Sequence, residues 1–293
     1  MNQHDTTENE LYDYSPIVDR EPITWPGGAR VAFYIGLNVE HFHLGKPSTS
    51  INAATASLVP DPLNHGWRDY GARVGIWRVM DTLDRHGIRA SVLLNSDVCE
   101  RYPQIIEAGN ARGWTWLAHG KTNSELPAEI PAEAEREYLT EILETIEKAT
   151  GHRPRGWMGP ALNHTFQTPS LLAELGVSYL LDWTADDQPF RLKVPGLLSV
   201  PYSVELNDIG LFTMKSHTGP EFVRMLEDQL DQLCDDAADS GRVMALALHP
   251  FVIGQAFRNR YLDEALAYIA GHEGVWLTTS DEIADHFDRT APA

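Results

Sequence analysis

Three apolar stretches of the sequence lead directly into polar side chains whose types suit acid–base or metal chemistry. The residues that follow these stretches are Asn38 and Glu40, His119 and Asn123, and His249. Because chemistry collects at the carboxyl ends of strands in parallel α/β proteins, we expect these side chains to share one rim. A carboxylate there could activate water while a histidine protonates a departing group. The same groups could instead hold a divalent metal that lowers the pKa of bound water.

The elements that must position this rim follow a strand–helix alternation repeated about seven times. Several predicted strands, 31–37 and 243–248 among them, are continuously apolar, which is typical of strands buried on both faces. The pattern predicts an α/β fold with a parallel sheet and outer helices, closed into a barrel. No Gly-x-Gly-x-x-Gly follows a strand, so a nucleotide cofactor is not indicated.

Three regions divide the chain in this interpretation. Residues 1–29 form an arm punctuated by proline and glycine, and residues 30–288 form one catalytic barrel. Within the barrel, residues 41–69 have no periodic pattern. A long loop directly after the first strand predicts a lid over the rim. The arm also suggests subunit contacts, from which we expect a homo-oligomer, either a dimer or a tetramer.

Charge and composition narrow the classes of partner. The chain has 293 residues, of which 23 are Lys or Arg and 42 are Asp or Glu, so its net charge is −19. This balance argues against binding to nucleic acid or to an anionic membrane, and the expected partner is a small-molecule substrate. No apolar run is long enough for a transmembrane helix. The polar N-terminus and the two cysteines without paired spacing favour a cytoplasmic protein.

The order and spacing of these stretches resemble the polysaccharide deacetylase superfamily, the NodB-like fold of carbohydrate esterase family 4. The resemblance covers residues 30–287. Its five motifs fall on Asn38 with Glu40, on His119 with Asn123, on 155–160 with Arg155, on Asp182 with Trp183, and on 246–250 with His249. The resemblance implies a hydrolase with a distorted (β/α) barrel of about seven strands in a single domain. It also implies that Glu40, His119 and Asn123 occupy the ligand positions of a zinc ion or other divalent metal.

Two positions depart from that family pattern. The catalytic base of the first motif is replaced by Asn38, whose amide cannot act as a base. One metal ligand is replaced by Asn123, and an amide oxygen is a poor ligand for zinc, so the metal site could be degenerate. The Asn-x-Glu pattern and the helix start at 70–78 resemble a subgroup that contains the PuuE-type allantoinases and related cyclic-amide hydrolases. That resemblance implies a site that works without a metal.

The favoured hypothesis is a hydrolase of a non-peptide C–N bond in a small cyclic amide, imide or ureide. Glu40 would be the base or water-orienting group, and His119 and His249 would polarise the carbonyl and protonate nitrogen. The residues expected to bind substrate are Asn38, Asn123, Arg73, Arg155, Trp157, Asp182 and Trp183. Arg73 or Arg155 would orient a carboxylate or ureido group, and the two tryptophans would form walls of the pocket.

Other interpretations stay open at this point. The tryptophans could be core residues, and Arg155 could form a structural pair with Asp182. The chain could be a metal-dependent deacetylase of a polysaccharide or of a small N-acetyl compound. It could also be a non-catalytic binding protein on a degenerate deacetylase barrel, which would account for Asn38 and Asn123.

Overall fold

The predicted alternation of strands and helices is present in the computed structural model, which describes residues 9–291. The strands are β1 (Val31–Val39), β2 (Ala90–Leu94), β3 (Thr115–Ala118), β4 (Gly156–Trp157), β5 (Tyr179–Leu180), β6 (Phe190–Arg191), β7 (Leu198–Ser199), β8 (Arg242–Leu248) and β9 (Val275–Leu277). The helices are α1 (Pro62–Tyr70), α2 (Ile76–Arg85), α3 (Ser96–Arg101), α4 (Pro103–Ala111), α5 (Glu135–Thr150), α6 (Thr168–Glu174), α7 (Gly219–Asp236), α8 (Ala256–Ala270) and α9 (Ser280–Thr290). None of these helices is long and apolar enough to cross a bilayer.

The strands form one curled sheet in the order β6–β7–β5–β4–β3–β2–β1–β8, and β9 pairs with β1 as well. Every pair is parallel except β6 with β7. The seam between the two ends of the sheet is spanned by loop backbone. The N–H of Ala247 donates to the carbonyl of Leu206 at 3.0 Å, and that of Val243 donates to Asp187 at 2.8 Å. The predicted distorted (β/α) barrel is therefore confirmed, with an open seam rather than full closure.

Side chains of β1 alternate between two hydrophobic clusters. Phe33 and Leu37 pack in the cluster that contains the outer helices, whereas Ala32 and Tyr34 pack in the cluster inside the barrel. Because the period of a strand is two, Asn38 continues the inward row and Glu40 follows it at the carboxyl end. Local strand geometry thus directs the first polar pair into the barrel mouth.

The segment predicted as a loop at 41–69 contains a helix. Helix α1 begins after Asp61, whose carboxylate accepts a hydrogen bond from the N–H of Asn64 at 3.3 Å. It continues through a π-helical turn, Gly71–Gly75, into α2, so the helical segment begins at Pro62, inside the predicted loop. A side chain at Gly75 would place Cβ 2.0 Å from the carbonyl oxygen of Pro250, so the turn and the 250–254 loop approach closely only because residue 75 is glycine. Asp61 followed by Pro62 is a typical helix start, but the segment has no apolar periodicity that would have predicted the helix.

The described part of the N-terminal arm lies on its own barrel. The carbonyl of Leu11 accepts a hydrogen bond from the N–H of Lys193 at 2.7 Å, and Trp25 is buried with its Nε1–H donated to Arg242 O at 2.8 Å. Residues 1–8 of the predicted arm lie outside the described residues. The division into an arm, a barrel over 30–288 and a lid remains a prediction.

Candidate active site

The structure brings the three predicted catalytic side chains together at the barrel mouth. Oε1 of Glu40 lies 3.5 Å from Nε2 of His119 and 3.9 Å from Nε2 of His249. All three side chains are at most 7% exposed. Because a buried carboxylate between two imidazoles can exchange protons with either, this cluster has the composition of an acid–base site.

His119 presents a lone pair to the carboxylate. Its Nδ1 lies 2.7 Å from the carbonyl oxygen of Met158, which only accepts hydrogen bonds, so Nδ1 carries the hydrogen. In the neutral imidazole Nε2 is therefore an acceptor, and it has no hydrogen-bond partner within residues 9–291. Two acceptors that face each other require a donor between them, such as a water molecule or a substrate N–H group.

His249 differs from His119 because its Nδ1–H donates to a carboxylate, that of Asp208, rather than to a backbone carbonyl. The carboxylate of Asp208 is fully buried and accepts hydrogen bonds from Nδ1–H and N–H of His249 at 2.7 and 2.8 Å, and from the N–H of Ile253 at 3.2 Å. Burial disfavours the imidazolium, but Asp208 and then Glu40 outweigh it and raise the pKa of His249 above its usual value. The two carboxylates thus favour the protonated, hydrogen-donating form of His249. Asp208 was not among the predicted residues.

Asn123 is oriented by a chain of amide hydrogen bonds. The N–H of His41 donates to Oδ1 of Asn95 at 2.9 Å, which fixes the Asn95 amide with Nδ2 as its donor. That Nδ2 donates to Oδ1 of Asn123 at 2.9 Å and also to the carbonyl of His119. Nδ2 of Asn123 then donates to Oε1 of Glu40. We call this series the amide relay: it occupies the oxygen of Asn123 and directs an N–H group at Glu40.

The amide relay does not fit the metal site that the family resemblance implies. A metal ligand must offer a lone pair, whereas Asn123 offers a donor, so only Glu40 and His119 remain as ligands. Within residues 9–291 the group of three ligand side chains that could hold a metal is a different one, His41 with His43 and Asp97, whose ligand atoms lie within 4.8 Å of one another. Glu40, His119 and Asn123 therefore do not form the metal site that the resemblance implies.

Asn38 lies inside the barrel mouth with its amide donors already engaged. Nδ2 donates to the hydroxyl of Tyr202 at 3.0 Å and to the carbonyl of Leu248 at 3.2 Å. Its place next to Glu40 agrees with the predicted rim, while these bonds give it a structural function between β1 and the seam. Tyr202 also lines a cavity of about 960 Å³, which lies between the arm and the seam and is not lined by any of the three candidate catalytic side chains.

Asp182 and Trp183 lie beside the cluster, after β5. Oδ1 of Asp182 accepts the N–H of Gly159 at 2.8 Å, and Oδ2 is buried without a partner in the described part of the chain. Burial raises the pKa of Asp182 to about 6, although His164 and His119 act in the opposite direction. The ring of Trp183 contacts those of His164 and Tyr12, at centroid distances of 5.6 and 5.3 Å.

Three predicted substrate-binding residues lie elsewhere. Arg155 precedes β4 and so lies at the amino end of the strand, where it pairs with Asp285, Nη1 to Oδ2 at 3.0 Å, and not with Asp182. Trp157 is fully buried in the outer cluster. Successive side chains of a strand point to opposite faces, and Met158 points into the barrel, so Trp157 points outward. The side chain of Arg73 is 73% exposed on the helix surface, and its ion-pair partner within residues 9–291 is Asp69, 3.8 Å away.

Arg68, in the predicted lid segment, is a basic residue of the site. It lines a small cavity together with Asn38, Glu40 and Phe251. The cavity measures about 10 Å³, enough for one water molecule. The sequence indicated Arg68 only by its position in the segment expected over the rim. Nothing in the sequence indicated Asp208, except that a buried histidine needs a hydrogen-bond partner.

Comparison with known proteins shows which families this chain resembles. Residues 68–180 match the family model of polysaccharide deacetylases. A Schizosaccharomyces pombe protein named "Putative polysaccharide deacetylase" is 25% identical over 314 residues, covering 94% of this chain and 95% of its own length. The crystal structure of a "probable Polysaccharide deacetylase" from Pseudomonas aeruginosa PAO1 has a TM-score of 0.81 and 26% identity, over 92% of this chain and 94% of the other. That of PuuE allantoinase has a TM-score of 0.84 and 26% identity at the same coverages.

These similarities confirm the predicted relationship to the NodB-like polysaccharide deacetylase superfamily, with an allantoinase among its structural neighbours. They also confirm the broader prediction of a hydrolase that acts on C–N bonds other than peptide bonds. The matched segment contains His119 and Asn123 but neither Glu40 nor His249, so the assignment of catalytic residues depends on the geometry described above.

Proposed function

We propose that the chain hydrolyses a non-peptide C–N bond in a small cyclic amide, imide or ureide, with Glu40 as the base and no metal at the family's ligand positions. The observation that carries this proposal is the amide relay, which directs an N–H group of Asn123 at Glu40. A carboxylate held by a donor and facing two imidazoles can take a proton from water and return it.

In the proposed reaction Glu40 takes a proton from water while the water oxygen bonds to the carbonyl carbon. His119 orients that water by accepting a hydrogen bond at Nε2. The imidazolium of His249, supported by Asp208, stabilises the oxyanion. The C–N bond then breaks, its electron pair goes to nitrogen, and nitrogen takes the proton from Glu40. The products are a carboxylic acid and the released nitrogen group, which is an amine from an amide, an amide from an imide and a urea from a ureide; both stay in one molecule when the substrate is a ring.

Binding of any substrate requires the site to open. The cavity beside Glu40 measures about 10 Å³, so even a single ring requires movement of the surrounding segment. The 41–69 segment supplies Phe42 and Arg68 next to that cavity. We propose that it opens to admit substrate and closes to exclude water from all but the reacting position.

A second candidate is hydrolysis of a small N-acetyl compound. The family model and the names of two similar proteins favour it. Glu40 and His249 would perform the same steps, with acetate and an amine as separate products. A metal-dependent form of this reaction has less support, because Asn123 directs a donor rather than a lone pair at the site.

The test is a substrate panel of hydantoins, cyclic imides, ureides and N-acetyl sugars, with consumption of substrate and formation of the ring-opened acid or of acetate followed by chromatography. Turnover of ring compounds supports the first candidate, and turnover of N-acetyl compounds supports the second. Glu40→Gln should lose at least about 10³-fold in kcat/KM with an unchanged melting temperature. Glu205→Gln, a change of the same kind at an exposed residue, should leave both unchanged. Saturable binding with no turnover of any compound would contradict the proposal and favour a binding protein.

A further inference from the structure

We propose that Arg68 forms an anion-binding subsite beside Glu40 and binds a carboxylate carried by the substrate. The proposal rests on the function proposed above and narrows its substrates to small cyclic amides, imides or ureides with a carboxylate group. Arg68 belongs to α1, and its side chain lines the same cavity as Glu40. The subsite and the base would therefore contact one bound molecule.

The guanidinium of Arg68 is buried but has no acidic partner at contact distance. The residue is 5% exposed, and no carboxylate oxygen within residues 9–291 lies within 4.0 Å of its nitrogens. Burial lowers the pKa of Arg68, and Asp61 and Glu40 offset this only in part. A buried charge without a partner is costly, so a protein that keeps one next to a catalytic carboxylate has a ligand for it.

One edge of the guanidinium is left open. Nη1 donates to the carbonyl of Thr49 at 2.6 Å, and this is the single hydrogen bond of the side chain in the described part of the chain. Nε is buried without a partner. The edge formed by Nε and Nη2 has the spacing of the two oxygens of a carboxylate, which arginine binds through two parallel hydrogen bonds.

The plane of the guanidinium is fixed before any ligand arrives. Cζ of Arg68 lies 4.9 Å from the centroid of the Phe42 ring, which stacks against it. The ring of Phe42 in turn packs on Phe251 at 5.8 Å, and Phe251 lines the Glu40 cavity. Little conformational entropy remains to be lost when a carboxylate binds, which increases both affinity and selectivity.

Asp61 does not serve as the missing partner. Its Oδ1 accepts the N–H of Asn64 at the start of α1, and its Oδ2 accepts from the amide of Asn64 and from the hydroxyl of Thr55. These bonds use Asp61 as the cap of the helix. The two arginines predicted to bind a carboxylate, Arg73 and Arg155, are both outside the cluster, so Arg68 is the basic side chain that can perform that function.

The experiment compares the binding of two probes that differ only in charge, hydantoin-5-acetic acid and hydantoin-5-acetamide. Dissociation constants are measured by calorimetry at pH 7.5 for the wild type and for Glu40→Gln, in which turnover is blocked. We expect the acid to bind about 10- to 100-fold more tightly than the amide. Arg68→Gln should make the two constants equal, whereas Arg73→Gln should keep the full preference.

Melting temperatures of all variants show whether the fold is kept. If Arg68→Gln does not fold, the wild type and Arg68→Lys decide the matter, because lysine keeps the charge without the two-pronged geometry and should keep only part of the preference. Equal constants for the two probes in the wild type, or no binding of either at millimolar concentration, would overturn the proposal. If the acid binds more tightly but is not hydrolysed, the anion-binding subsite is supported and the proposed hydrolase function is refuted. If both probes are hydrolysed with equal kcat/KM, the hydrolase function is supported and the anion-binding subsite is refuted.

Discussion

Replacing Asp208 with asparagine should lower the pKa of His249 and destabilise the fold, and both effects can be measured without a substrate. The carboxylate accepts three N–H groups, two from His249 and one from Ile253. An asparagine has nearly the same shape but only one oxygen, so at least one of these buried donors would face an NH2 group. The variant therefore removes a charge and leaves an unsatisfied donor in one step.

The magnitudes follow from these contacts. An opposite charge in contact with a buried imidazole shifts its pKa by about 1–3 units, which corresponds to about 1.4–4 kcal/mol. An unpaired buried donor costs about 1–3 kcal/mol of unfolding free energy. The pKa of His249 is raised in the folded protein, so the stabilisation it provides is fully present below its unfolded value near 6.5 and is lost as pH rises through the folded value. The difference in stability between wild type and Asp208→Asn should therefore shrink as pH increases from 6 to 9.

The assay is a titration of the ¹³Cε1 resonances of labelled histidine, with His249→Gln to assign the signal, combined with urea unfolding at several pH values. Asp228→Asn is the matched control, because that aspartate is exposed on α7 and its ion-pair partner in the described part of the chain is the exposed Arg224. An unchanged pKa of His249 in Asp208→Asn, or a stability difference that does not depend on pH, would refute the role assigned to Asp208.

Two further changes test the amide relay and the buried acid beside it. Asn123→His should create a third ligand beside Glu40 and His119 and so increase zinc affinity at least about tenfold. The affinity is measured by competition with a chromophoric chelator, in a His43→Ala background that removes the neighbouring ligand group. Equal zinc affinity with and without the new histidine would contradict the role assigned to the amide relay. Asp182→Asn should remove a pH dependence, because burial raises the pKa of Asp182 to about 6 and the wild type therefore loses stability as pH rises from about 4 to 6, by about 1.4 kcal/mol for each unit of pKa difference. Urea unfolding at pH 4 and pH 7 measures this loss, and parallel curves for wild type and variant would show that the carboxyl group is not the cause.

The fold and the placement of the three candidate catalytic side chains could be predicted from sequence because both depend on local pattern. Continuous apolar strands indicate a parallel sheet, and the residue after such a strand lies at the rim. Glu40, His119 and His249 all obey that rule. Wherever the rule needed the exact end or phase of a short strand, it failed: Arg155 is at the wrong end of β4 and Trp157 is one residue out of phase.

The residues that the sequence did not reveal are those whose function comes from tertiary contacts alone. Asp208 is 41 positions from His249 in the chain, and nothing in the intervening sequence indicates that they pair. Asn95 acquires its orientation from the backbone of His41, a contact that depends on the packing of β1 against β2. Such partners become visible only when each buried polar group is matched with its donor or acceptor.

That same matching distinguishes a working site from a degenerate one. If Asn123 were a relic of a lost metal ligand, its amide would have no reason to be satisfied on both sides, yet its oxygen and its nitrogen both have partners. Among the buried polar atoms without a partner in residues 9–291, Nε2 of His119 and Nε of Arg68 belong to side chains that lie next to Glu40. Leaving such groups unpaired in the interior is costly, and a bound molecule with one donor and one acceptor would satisfy both. The distribution of unpaired polar atoms thus favours a site built around a small polar substrate over a barrel that has retired from catalysis.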